Sequence, residues 1–295
     1  MIMRQIIDTH LHLWDLSRFA LPWLAEVKPL DRNFTQEDFR RDAAKGPGWE
    51  IERAVYVEVD VAPEQRQEEA EYVAGLCADE DSLVEGAVIS VDLSSPDAPK
   101  TLRKYEGHPF VRGVRHVLHV ASSPQGACLE DVFVGNVRLL GDLGLLFEGC
   151  LRCPELGDFV ELARRCPGTR MVLDHMGNVD PEIIAMERPG AEQTAYADQW
   201  RRNISDMSDL GNVCTKISGL NVSGDGTIDV LAPSLEYCFE AFGEDRIMFA
   251  SNYPVCRLSL GGRPWVEALL SITAERPQLF QDKLFSRNAI RIYNL

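Results

Sequence analysis

Positive charge is scarce in this chain of 295 residues: 30 Lys and Arg stand against 46 Asp and Glu, a formal net charge of -16. Such a field repels polyanions and disfavours nucleic acid and anionic membrane surfaces as partners, yet it admits a small anion wherever a few arginines converge. Long apolar runs are missing as well. No segment reaches the roughly 18 consecutive apolar residues of a membrane span, and no basic stretch leads into an apolar one at the N-terminus, so neither a span nor an export signal is expected. The 8 cysteines are scattered through apolar segments of a long chain. That spacing excludes a small disulfide scaffold and reads as the reduced core of a cytosolic protein. Cys150 and Cys153 have CxxC form, but without a second pair at zinc-ribbon spacing or a thioredoxin-like context they read as structural.

What is present is a rhythm. Short β-branched segments are predicted as strands over the opening Ile6–Asp15 region, then Arg53–Val59, Val84–Val91, Val111–Val117, Leu145–Leu151, Arg170–His175, Val213–Ser218 and Arg246–Ser251. Helical patterns fall between them: Gln36–Ala44 behind Thr35 as N-cap, Pro63–Ala78, Pro96–Tyr105, Glu130–Asp142, Pro154–Arg165, Gln193–Leu210 and Asp229–Phe242. A final helical region, Pro264–Tyr293, is broken at Pro277. No composition shift marks a linker, so residues 1–295 are expected to form one domain. Eight strands alternating with helices predict a (β/α)8 TIM barrel; the competing doubly wound sheet needs a Gly-rich phosphate turn after its first strand, and Asp8-Thr9-His10 is not one.

In that fold the reactive residues sit at the C-terminal strand ends. His10 and His12 stand two apart on the first strand and therefore on one face, a spacing that suits a metal or a polarised carbonyl and that two ordinary core histidines also satisfy. The other strand ends supply Glu58, then Arg115, His116 and His119, Glu148, Asp174 with His175, Lys216 with Ser218, and Ser251 with Asn252. Each alone has a bland reading as an ion pair, a cap or a core histidine. Together, so many titratable groups at one mouth mark a functional site. Specificity is expected in the excursions Leu16–Asn33, Ala121–Gly126 and Met176–Gly190.

Several segments in order, Ile7-Asp8-Thr9-His10-Leu11-His12, Gly113-Val114-Arg115-His116, Leu173-Asp174-His175-Met176-Gly177, Lys216-Ile217-Ser218-Gly219 and Ser251-Asn252-Tyr253-Pro254, resemble the amidohydrolase superfamily. Within it they are similar to the amidohydrolase-related branch that contains sugar-acid lactonases and pyrone-dicarboxylate lactonase. The resemblance implies hydrolysis of a small, carboxylated or hydroxylated lactone. By that likeness His10, His12 and His175 are metal ligands or carbonyl-polarising groups and Arg115 binds a substrate carboxylate; the strand-end reading adds Glu58 and Asn252 as catalytic positions and sets His116, His119, Glu148 and Lys216 beside Arg115 for substrate binding. One divalent metal, zinc before others, or none is expected, with a small anionic substrate and, compatibly, a homo-oligomer. Where the superfamily commonly ends its eighth strand in an aspartate base, this chain has Asn252, and an amide cannot take the proton. Glu58, Glu148, Asp174 or a histidine then remain as bases. A decarboxylase or lactone isomerase on the same barrel, or a non-catalytic binding protein, are the alternatives.

Overall fold

The computed structural model describes residues 3–120, 122–223 and 227–295. Its parallel strands are β1 (Arg4–Leu11), β2 (Trp49–Val57), β3 (Val84–Ser90), β4 (Val111–Val117), β5 (Leu146–Cys150), β6 (Met171–Leu173), β7 (Val213–Ile217) and β8 (Ile247–Phe249). They follow one another through a single sheet in chain order with helices in the connections, the (β/α)8 barrel class. No helix among the described residues is long and apolar enough to cross a membrane.

The differences from the sequence expectation are local and have local causes. β6 stops at Leu173, two residues short of His175, because His175 and Met176 take left-handed backbone angles (φ 55° and 51°) that no strand accommodates. β1 likewise ends at Leu11, so His12 lies just past it. A two-residue strand, Lys45–Gly46, runs antiparallel to the start of β2, where sequence predicts only a helix stop. Gly48 at φ 82° makes that turn, and Gly46 lies so close to the Trp49 ring that a Cβ there would stand 2.6 Å from it. The Ala121–Gly126 excursion begins on a residue outside the described set.

Two compact units share the chain: Met1–Ser90, Phe110–Arg112 and Met248–Leu295 form the first, and Val91–Pro109 with Gly113–Ile247 the second. In the first, β2 is flanked by β1 and β3, with Ile6 opposite Ile51 and Tyr56 opposite Ala87. Its interior is aromatic: Phe34 and Phe39 meet the Tyr253 ring edge-on at 5.9 and 5.2 Å between centroids. Thr35 and Asp38 form the expected cap of helix Gln36–Asp42 as a reciprocal capping box, a device that stabilises by about 1 kcal/mol.

In the second unit, β5 is flanked by β4 and β6, and β6 by β7, in unbroken register. Helices Asp131–Asp142 and Leu156–Arg165 cover it, their Phe133 and Phe159 reaching Phe147 of β5. Amphipathic spacing explains both helices: Phe133, Val134, Val137 and Leu140, and then Phe159, Val160, Leu162 and Ala163, are the buried stripes.

Candidate active site

The first unit carries the His-x-His pair. The Nε2 atoms of His10 and His12 lie 3.0 Å apart, with the rings nearly perpendicular at 86°. His12 Nδ1 faces the Val57 carbonyl at 2.8 Å, at the end of β2. A carbonyl only accepts, so His12 keeps its proton on Nδ1 and turns a bare lone pair at Nε2 toward His10. Two lone pairs cannot face each other at that distance, so a proton on His10 or a cation must lie between them. The donor set therefore fits a divalent metal: two buried imidazoles at chelating spacing, one of them with its tautomer fixed by a backbone partner.

Around the pair, Asp8 is fully buried and accepts from the His10 N–H at 3.0 Å and the Ser251 N–H at 2.8 Å, and also from the Ser251 hydroxyl. Ser251 Oγ in turn accepts from the Tyr253 N–H. The chain reverses between these two at Asn252, whose φ is 56°, and its N–H donates to the His10 carbonyl at 3.0 Å. Glu58 follows β2, is 1% exposed, and accepts from the Asp60 N–H at 2.8 Å. Asp8 is the site residue that sequence reasoning misses. Its signal is nonetheless present, since alternation puts residues 8, 10 and 12 on one face.

The second unit carries charge. Lys216 Nζ lies 2.5 Å from Glu148 and 3.3 Å from Asp174, all three side chains being 0% exposed, and Arg115 approaches Asp174 at 3.8 Å. Two cations thus face two carboxylates in a dry interior. Glu148 and Lys216, both in the expected substrate-binding set, pair with each other, and Lys216 also reaches Asp174. His175 follows in the left-handed turn, its Nδ1 2.8 Å from Ser218 Oγ. Burial pushes the His175 imidazole down to about 4, with Lys216, Arg115 and His119 acting in the same sense and Asp174 opposing. His175 is therefore neutral at pH 7, the state in which an imidazole offers a lone pair.

Gly219 makes that turn possible: a Cβ there would stand 2.5 Å from His175, and the Trp200 indole N–H secures the Met176 carbonyl at 2.9 Å. His119, an exposed residue just past β4, lies against Cys150, whose sulfur raises the imidazole to about 8. His116 goes elsewhere. Next to Arg115 on β4 it points to the opposite face, where its Nδ1 accepts from the Leu93 N–H at 3.1 Å and its ring meets Phe133. The structure therefore does not bring His116 to Arg115's side of the strand.

A cavity of about 560 Å³ lined by Arg4, Phe285 and Arg287 opens at the start of β1. His10 lies six residues along that strand, on the order of 20 Å away, and the cavity takes no part in this chemistry.

In (β/α)8 barrels, histidines and acids at the C-terminal strand ends mark where an active site is built. The chain belongs to the amidohydrolase family, whose model matches residues 7–295. It is similar to L-fucono-1,5-lactonase from Burkholderia multivorans, 27% identical with 93% of this chain and 92% of that one covered. It is also similar to L-rhamnono-gamma-lactonase from Scheffersomyces stipitis, 22% identical with 99% of each covered. Among solved structures, an amidohydrolase from Burkholderia multivorans with bound zinc superposes at a TM-score of 0.80, 21% identical over 99% of both chains.

Proposed function

We propose that this amidohydrolase-family hydrolase opens a lactone of a small sugar acid. The observation that carries the reading is the His10 and His12 Nε2 pair at 3.0 Å. Curated relatives of near-equal length that are named for sugar-acid lactones support the substrate class.

In this reading His10 and His12 would hold one divalent metal, zinc by donor type, and on the second unit the neutral His175 offers a further imidazole donor. When bound, the metal polarises the lactone carbonyl and lowers the pKa of a water. The chain's own residues do the rest. His12 is held in one tautomer by the Val57 carbonyl, and the His175 ring is oriented by the Ser218 hydroxyl. Arg115 grips the substrate's carboxylate or hydroxyl oxygens through its fork of N–H donors. Among the candidate bases Glu58, Glu148, Asp174 and the histidines, this reading gives the water proton to Glu58, buried just past β2. Asn252, unable to accept that proton, donates its amide N–H to the reacting ester.

The test is lactone hydrolysis followed with a pH indicator over a panel of sugar-acid lactones, before and after chelation and with zinc restored. Expected are turnover of at least one aldonolactone, its loss on chelation, and a fall of about 10²- to 10⁴-fold in kcat for His12→Ala. Release of carbon dioxide, or a rearranged lactone without ring opening, would replace this reading with a decarboxylase or an isomerase.

A further inference from the structure

We propose that Asp8 is a positioning residue that sets His10 and Asn252 together, through a clasp closed by Ser251; the inference rests on the site reading above. Asp8 is 0% exposed, and its carboxylate grips the backbone that carries both residues. It thus works one step back from the imidazole and the carboxamide. One oxygen, Oδ1, takes the N–H groups of His10 and Ser251 at 3.0 and 2.8 Å, so the ends of β1 and β8 are tied to a single atom. The other takes the Ser251 hydroxyl, and that oxygen accepts the Tyr253 N–H at 3.0 Å.

Between the two Ser251 contacts the chain must turn back on itself, and Asn252 does so at φ 56°, a left-handed conformation in which asparagine is among the better-tolerated side chains. Its N–H returns to the His10 carbonyl at 3.0 Å, and the His12 N–H reaches the Tyr253 carbonyl at 2.8 Å. His10 is thereby gripped at both its N–H and its C=O. Thr9 Oγ1 adds a bond to the Phe249 carbonyl at 2.7 Å. An uncharged acceptor would hold these donors less strongly than a carboxylate does, because charge-assisted bonds are roughly twice as strong as neutral ones. The aspartate is therefore the part of the Asp-x-His segment that joins the His10 backbone to the left-handed turn at Asn252.

The experiment uses the full-length protein and three variants, Asp8→Asn, Ser251→Ala and Asn252→Ala, alone and in pairs. Zinc affinity is read by competition with a chromogenic chelator, and the imidazole ¹⁵N resonances of the metal-free protein are read by NMR. Expected are a fall of about 10-fold or more in zinc affinity and a displaced His10 ring resonance in Asp8→Asn, with His175 unmoved, as for loss of a group that orients a ligand. If a lactone is turned over, kcat falls with KM unchanged, and Ser251→Ala costs less than about twofold more in the Asn252→Ala background, since both act through one side chain. The clasp is overturned if Asp8→Asn and Ser251→Ala lower the melting temperature but leave the His10 resonance and zinc affinity as they were, or if Ser251→Ala and Asn252→Ala act additively. Failure of every lactone leaves the resonance readout intact, so the two readings fail separately. Should Asp8→Asn not fold, Ser251→Ala, which deletes a single hydroxyl, carries the same readouts.

Discussion

The two clusters at the strand ends are built on opposite principles. Around His10 and His12 the interactions are chiefly hydrogen bonds to backbone: Val57 fixes one ring, Asp8 fixes one N–H, and the chain at Asn252 closes on the His10 carbonyl. Around Asp174 the partners are charges from separate strands, Arg115, Glu148 and Lys216. The Val57 carbonyl and the Asn252 N–H aim their partners without adding charge, and the Asp8 carboxylate is turned to N–H and hydroxyl donors. Paired charges in a dry interior tolerate no missing member, because desolvation is recovered only through the partner. The first cluster is therefore expected to lose chemistry when altered, and the second to lose stability.

The largest test of that contrast is Lys216→Met, which leaves Glu148 and Asp174 as neighbouring carboxylates in the interior. Destabilisation of about 3–5 kcal/mol is expected in urea unfolding, and adding Glu148→Gln recovers much of it. A neutral outcome would break the comparison. Next in size is a pH effect in chelated protein. His175 titrates near 4 in the fold, because burial opposes its charged form, and near about 6.5 when unfolded. The unfolded chain therefore binds the proton first as pH falls. Stability from this group is complete above about pH 6.5 and declines toward pH 4 by on the order of 3 kcal/mol, with no further loss below. Urea midpoints across that range, compared with those of His175→Gln, check the sign; a stability that rises on acidification over this range would refute it. Smallest is Ser218→Ala, which frees the His175 ring to rotate. A loss of about 10-fold in kcat with an unchanged urea midpoint is expected, and it sharpens the boundary between aiming and holding.

The fold was legible because periodicity of apolar residues is a local property: β2, β4 and β7 are visible in Arg53–Val59, Val111–Val117 and Val213–Ser218 without knowledge of their neighbours. Strand ends were less so. His175 reads as the last residue of a strand, because nothing in Leu173-Asp174-His175 announces a left-handed turn; Gly219, more than 40 residues away, makes room for it. Arg115 and His116 both read as strand-end groups of the substrate-binding set, and alternation along β4 sends them to opposite faces. Lys216 reads in the sequence as either an ion-pairing or a substrate-binding group, and only the fold shows that Glu148 is its partner.

By itself, then, the sequence determined the order of strands and helices, the His-x-His spacing, and the asparagine where an aspartate is commonest, since each is written in neighbouring residues. Tertiary structure alone decided which groups face one another. The tautomer of His12, the orientation of the His175 ring and the clasp between Asp8 and Ser251 all depend on partners 43 to 243 residues apart in the chain. Hydrogen bonds and desolvation act over a few ångströms of space, whatever the separation along the chain.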